Sequence, residues 1–195
     1  MHWFALVLDL SFLLVAFGVR TALQVRATAD SGWRIGRPHG VAERVARSGF
    51  VAALVLLGAS LVAGFAGSTA DVPPWAAALG VAVCLGAIGL VFVAQLQMGT
   101  SWRIGVDPDE QTALVTGGVY RRVRNPIYTG MVAFALGQVL VVLSAWSVAA
   151  VAALVVGVEL QVRVVEEPYL ARLHGSAFAG WCATSGRFLP VLGRA

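Results

Sequence analysis

The stretch NPIYTGMVAFALGQVLVVLSAWSVAAVAALVVGV, Asn125 to Val158, contains no charged residue. As a single helix it would run about 50 Å at about 1.5 Å per residue. That is well beyond a hydrocarbon core of about 30 Å. The stretch therefore reads as two shorter helices, 126–143 and 146–163, with a tight turn near Ser144-Ala145-Trp146-Ser147. Each arm is barely long enough to cross a bilayer. Such a helical hairpin returns the chain to the face it left, and so predicts that Arg124-Asn125-Pro126 meets Glu166-Glu167.

The rest of the chain agrees with a lipid environment. Of its 195 residues 58% are hydrophobic and only 12% are charged, where a soluble domain carries about 25%. Too little charge is present to cover a soluble surface, and the length suits one domain. Three more apolar runs are long enough to span: 3–25, 50–67 and 75–96. Asp71 is the only charge between Ser48 and Trp102, and with Pro73-Pro74 it marks a short loop between the second and third runs. The expected fold is all-α: one polytopic membrane domain, 1–195, with five transmembrane helices, helices four and five as a tight hairpin, and a C-terminal helical segment in the cytoplasm. The first run has no basic n-region, and Asp9 interrupts it, so it reads as a retained span rather than a signal peptide.

All 14 basic residues are arginine. The lack of lysine, with abundant Ala, Val, Gly and Leu, points to a GC-rich genome; the expected location is a bacterial inner membrane. Arg26, Arg34, Arg37, Arg44 and Arg47 fill the first loop. Arg103, Arg121, Arg122 and Arg124 precede the hairpin, and Arg163, Arg172, Arg187 and Arg194 fill the tail. An outside N-terminus and five spans put every one of these groups on the cytoplasmic side. The net charge of +4 is thus a matter of topology, and no nucleic-acid partner is expected. Cys84 and Cys182 lie in unlike surroundings and are not expected to pair, and no metal-ligand cluster is visible. Ala59, Ala63 and Gly67, and likewise Ala133 and Gly137, repeat at a spacing that lets membrane helices pack closely within one chain.

The polar segments, 98–125 and 164–195, carry the chemical detail. The first reads Met98-Gly99-Thr100-Ser101-Trp102-Arg103, then Asp107-Pro108-Asp109-Glu110, then Gly117-Gly118 before Tyr120. The glycine pair suits a tight turn. Pro126 suits the first turn of a helix whose amides near Asn125 to Tyr128 would favour a carboxylate or phosphate. In the second segment Glu166 and Glu167 are neighbours, about 100° apart on a helix, so at most one can face a given ligand. Glu159 stands four residues before Arg163, the favourable order for a helical ion pair. His2, His39 and His174 are isolated from one another. Read singly, Gly117-Gly118 is an ordinary turn and Arg121, Arg122 and Arg124 are an ordinary positive-inside cluster.

Taken in order, Leu114-Val115-Thr116-Gly117-Gly118-Val119-Tyr120, Arg124-Asn125-Pro126-x-Tyr128-x-Gly130, Glu166-Glu167-x-x-Leu170, Gly175 and Arg187-Phe188-Leu189-Pro190 resemble the isoprenylcysteine carboxyl methyltransferase family. They are equally similar to its relatives among the bacterial phospholipid N-methyltransferases. The resemblance covers roughly residues 95–190. It implies an integral membrane methyltransferase that moves a methyl group from S-adenosylmethionine to a lipophilic or lipid-linked acceptor at a cytoplasm-facing site. Carried onto matching positions, it implies cofactor contacts at Thr112, Ala113, Leu114, Val115, Tyr120, Asn125, Pro126, Ile127, Tyr128, Glu166 and Glu167. It places Arg163 near the acceptor, and Glu166, Arg163 and Asn125 at the reacting groups. The family usually has His where this chain has Asn125. Asn can hydrogen-bond a cofactor but does not titrate near neutral pH, so a binding role is expected there. Two other readings stay open at this stage: a sterol-type membrane reductase using NADPH, and a non-enzymatic membrane scaffold.

Overall fold

The computed structural model describes residues 1–34, 36, 40–105 and 110–193. Arg37, His39, Asp107-Pro108-Asp109 and Arg194, named above, lie outside these. Among the described residues there is no strand. Helices make the fold, with isolated parallel bridges between Trp33 and Ile104 and between Val123 and Gly186.

Helix α1 runs His2–Thr28, α2 Val41–Phe65, α3 Pro74–Gln97, α4 Pro126–Val141 and α5 Ala145–Leu160, followed by α6, Glu167–Thr184. Among the described residues, four helices are long and apolar enough to cross a membrane: α1, α2, α3 and the continuous helical run Ala145–Thr184 that holds α5 and α6. Helix α4 is apolar but has only 16 residues, short of the roughly 20 that a span requires. The chain is thus an integral membrane protein with four clear spanning candidates, where the apolar pattern alone counted five. Two details explain the count. Val142 leaves helical geometry, so α4 stops before the apolar run does. Ser144 then caps α5 and forms a reciprocal capping box with Ser147, which draws Ala145-Trp146-Ser147 into the first turn of α5.

Helix α2 begins nine residues before its apolar run, so Arg44 and Arg47 belong to a helix rather than a loop. Arg47 pairs with Glu43 one turn earlier. Ala46, Ala53, Ser60 and Gly64 are the buried small residues of α2, rather than Ala59, Ala63 and Gly67. Gly49 meets Gly157 of α5 so closely that an added Cβ would fall 2.9 Å from the Gly157 Cα. Gly80 of α3 and Gly137 of α4 form a matching crossing, with a Cβ on Gly80 only 2.7 Å from the Gly137 carbonyl oxygen. Two helix pairs are therefore seamed backbone to backbone, α2 on α5 and α3 on α4.

Helix α1 packs on α3 and α4 through Leu8, Phe12 and Ala16 against Cys84, Val91 and Phe134. Its interior contains a π-helical stretch, Leu14–Val19, and the amide of buried Gln95 donates to the Ala16 carbonyl there at 2.9 Å. Freed carbonyls of this kind are what a π-bulge supplies. Buried Arg20 donates to the Gln95 carbonyl at 3.2 Å and to the Gly99 carbonyl, and its guanidinium lies 4.7 Å over the Trp102 ring. Arg20 so closes the C-terminal end of α3, where the helix dipole is negative. The result ties α1 to the segment that opens the polar half of the chain.

Candidate active site

The N-terminus of α4 is where the polar segments gather. Pro126 occupies its first turn. The earliest amide in its ladder is Thr129 N–H, bonded to the Asn125 carbonyl at 3.0 Å, so Ile127 and Tyr128 stand ahead of the ladder. Just before α4, residues Gly118–Arg121 form a single 3-10 turn. Gly118 enters it at φ +56°, and a Cβ there would strike the Gln97 side chain. Gln97 Oε1 in turn accepts from the Val119 amide at 2.8 Å, so the end of α3 fixes this turn.

Tyr120, Leu114, Val115 and Ile127 share one apolar cluster with Phe178, Trp181 and Cys182 of α6. Tyr120 is buried, its hydroxyl donates to the Ala94 carbonyl at 3.3 Å, and its own carbonyl accepts from the Trp181 indole at 2.9 Å. Burial pushes its phenol pKa upward. The tail therefore roofs this cluster, and Tyr120 forms part of its interior.

Between α5 and α6 the helix widens into a second π-helical stretch, Gln161–Glu166. Glu166, half-buried, accepts hydrogen bonds from the Tyr128 hydroxyl and, at 3.1 Å, from the Gln161 amide. Its neighbour Glu167 turns elsewhere. It accepts from Arg187 at 2.8 Å on each carboxylate oxygen and from Arg124 at 3.3 Å and 3.4 Å. The two glutamates thus do separate work, as their angular offset on a helix requires. Arg163 is exposed and pairs with Glu159, the helical ion pair expected from their spacing.

The tail closes the arrangement. Arg124 N–H donates to the Gly186 carbonyl at 2.8 Å, Gly186 N–H to the Arg122 carbonyl at 2.9 Å, and Asn125 N–H to the Arg187 carbonyl at 3.1 Å. The Asn125 side-chain amide donates to the same Arg187 carbonyl at 3.1 Å, and the Thr129 hydroxyl to the Phe188 carbonyl at 2.7 Å. Asn125 therefore clamps the tail across the start of α4. Thr112 is half-buried and Ala113 exposed in the irregular segment leading to this cluster.

The family follows from residues 75–177, which match the model described as phospholipid methyltransferase. The chain belongs to the phospholipid methyltransferase family. Among solved structures it is similar to a eukaryotic intramembrane Ras methyltransferase, isoprenylcysteine carboxyl methyltransferase without a monobody, at 21% identity and a TM-score of 0.59. The likeness covers 96% of this chain and 63% of that one, so the chain spans less than two thirds of its length. At that identity the likeness is one of fold. The comparison with curated proteins gives no significant match.

For this member of the phospholipid methyltransferase family, sequence reasoning brought Arg124 to the Glu166-Glu167 pair but gave it no role of its own. Arg124, 4% exposed, donates to the carbonyls of Cys182 at 3.2 Å, Ser185 at 2.5 Å and Gly193 at 2.8 Å, as well as to Glu167. It caps the end of α6 from inside. In the sequence it is one of three closely spaced arginines, and only Arg121 and Arg122 turn out exposed. Its place directly before Asn125-Pro126 was the signal available.

Proposed function

We propose that this chain is an integral membrane methyltransferase that uses S-adenosylmethionine and a lipophilic or lipid-linked acceptor. The single observation that carries the reading is the pairing of Tyr128 with Glu166 at the N-terminus of α4, inside the segment that matches the family. The donor set fits the cofactor. A half-buried carboxylate suits an ammonium or sugar hydroxyls, the amides ahead of the α4 ladder suit a carboxylate, and Leu114, Val115, Tyr120 and Ile127 offer an apolar wall for a flat ring. Once bound, S-adenosylmethionine supplies an activated methyl group on a sulfonium.

The residues of the chain then bind, orient and exclude water. Tyr128 holds Glu166 in place, and its aromatic face suits a nearby cation. Asn125, with Arg124 and Glu167, keeps the tail over the site, while Thr112 to Val115 form the strip beside it. Glu159 and Arg163, on the exposed side at the end of α5, are placed to meet an acceptor headgroup arriving from the lipid. In this reading α4 and α5 form a hairpin and α4 counts as a fifth span. Segments 98–125 and 164–195 face the cytoplasm, the N-terminus lies outside, and the membrane is a bacterial inner membrane.

Equilibrium binding of radiolabelled S-adenosylmethionine to the purified, detergent-solubilised protein tests the reading. Saturable binding that Glu166→Gln weakens at least tenfold is expected. Binding of NADPH instead, or of neither ligand, would overturn it.

A further inference from the structure

The first loop lies outside residues 75–177, which match the family, yet it reaches Glu110, two residues before the strip assigned to the donor. Trp33 and Ile104 form a parallel bridge, with Arg34 N–H donating to the Ile104 carbonyl and Ile104 N–H to the Gly32 carbonyl, both at 2.8 Å. Gly32 sits so close to Trp102 that an added Cβ would fall 3.0 Å from the Trp102 carbonyl oxygen. The Trp33 indole donates to Thr21 at 2.9 Å, and Gln24 of α1 donates to the Thr100 carbonyl at 3.1 Å. The end of α1 and residues 30–34 therefore form a fixed post beside the segment that follows α3.

From that post Arg34 forks onto Glu110, with Nε donating to Oε2 at 3.1 Å and Nη2 to Oε1 at 2.9 Å. The same guanidinium pairs with Asp30, and Arg103 pairs with Glu110. Two arginines and two carboxylates make a neutral, partly shielded cluster. The Glu110 backbone is held as well, because its carbonyl accepts from the hydroxyl of buried Tyr169 on α6. Glu110 stands two residues before Thr112. The strip Thr112 to Val115 is thus pinned at its start by Glu110, and at its end by the packing of Leu114 and Val115 on the Tyr120 cluster.

We propose that Arg34 is a positioning residue for the methyl donor. Through its fork to Glu110 it sets the strip Thr112 to Val115, so the N-terminal helices contribute to a site that the family match alone would confine to residues 75–177. The proposal rests on the donor reading above. A bidentate arginine–carboxylate pair fixes geometry as well as charge, and a strip freed at one end must be re-ordered each time the donor binds.

The test is a double-mutant cycle on the full chain, Arg34→Gln and Glu110→Gln, singly and together, with the Kd for radiolabelled S-adenosylmethionine and the melting temperature measured for each variant. Each single change is expected to raise the donor Kd about tenfold in protein that is still folded at the assay temperature. The double variant should bind no worse than the worse single. Arg34→Lys keeps the charge without the fork. It serves if Arg34→Gln does not fold, and a partial rescue, to a rise of about threefold in donor Kd, is expected. An unchanged donor Kd, penalties that simply multiply, or a lowered melting temperature with no change in Kd would overturn the proposal. Absence of donor binding in the unaltered protein would instead remove the donor reading itself.

Discussion

Tyr128 and Glu166 lie 38 positions apart and meet through one hydrogen bond. A bond to a carboxylate contributes about 1.5–3 kcal/mol when its partner has no substitute. Tyr128→Phe should therefore weaken S-adenosylmethionine binding by about tenfold or more, with the aromatic wall intact. The readout is the same equilibrium binding assay, and an unchanged affinity would show that the hydroxyl serves only the fold. Arg124 calls for a different measurement. Its removal leaves Glu167 with Arg187 alone, and frees the Cys182 and Ser185 carbonyls at the end of α6 and the Gly193 carbonyl further along the tail, so Arg124→Ala should destabilise the protein by about 3–5 kcal/mol. Thermal unfolding in detergent should register this, with Arg124→Lys falling between. At this scale the sequence was partly legible. Adjacent glutamates must diverge on a helix, which separates Glu166 from Glu167 before any coordinates exist. Nothing in a run of three arginines says which one turns inward.

The elements are held by their glycines. At the α2–α5 crossing a Cβ on Gly157 would fall 3.0 Å from the Ala46 carbonyl oxygen, while one on Gly58 would meet nothing within 4 Å. Gly157→Leu should therefore push the helices apart at a cost of about 1–3 kcal/mol, and Gly58→Ala should be neutral or slightly stabilising. Paired melting curves of the two variants decide this, and an equal effect would mean that the crossing is not a tight seam. The sequence shows small residues at four-residue spacing but not their phase. That phase depends on which face of α2 meets α5, where Gly49 lies against Gly157, and a spacing within one helix does not record its partner. The π-helical stretches are illegible for a related reason. Their widening is stabilised by distant partners such as Gln95, which local patterns do not record.

Charge at the loop ends gives a pH prediction at the same scale. Hydrogen bonds from Arg34 hold Glu110 below the usual carboxylate range, and Asp30 is held low by the same guanidinium. A folded value below the ordinary one means that the pairing stabilises the fold above the ordinary carboxylate range. It is lost as pH falls through the folded value. Acidification through that window should release residues 30–34 from Ile104 while the apolar seams hold. Amide exchange at Arg34 and Ile104 should accelerate there ahead of exchange within α3. Simultaneous loss of both would mean that the cluster has no separate titration.

For the whole molecule, the helices have a division of labour that follows from the solvent. The two glycine seams and the α1 contacts build a scaffold with lipid-facing surfaces, and the polar connections collect at one end of it. At the other end the hydroxyls of Ser60 and Ser144 lie 2.9 Å apart and Ala70 N–H donates to the Leu143 carbonyl at 2.9 Å. These contacts close the short loops. On the proposed reading, an acceptor for the end that carries Glu166 would approach through the bilayer, past α5, whose outer surface is apolar up to Glu159 and Arg163. A water-soluble acceptor would gain nothing from that route. Cells expressing the protein should therefore accumulate a membrane lipid heavier by one methylene, detectable by mass spectrometry of whole-lipid extracts. The gain should disappear with Glu166→Gln, which keeps the shape of the side chain, and should persist with Gly58→Ala. A methylated product confined to the aqueous fraction would show that the acceptor enters from water, and the lateral approach past Arg163 would then be wrong.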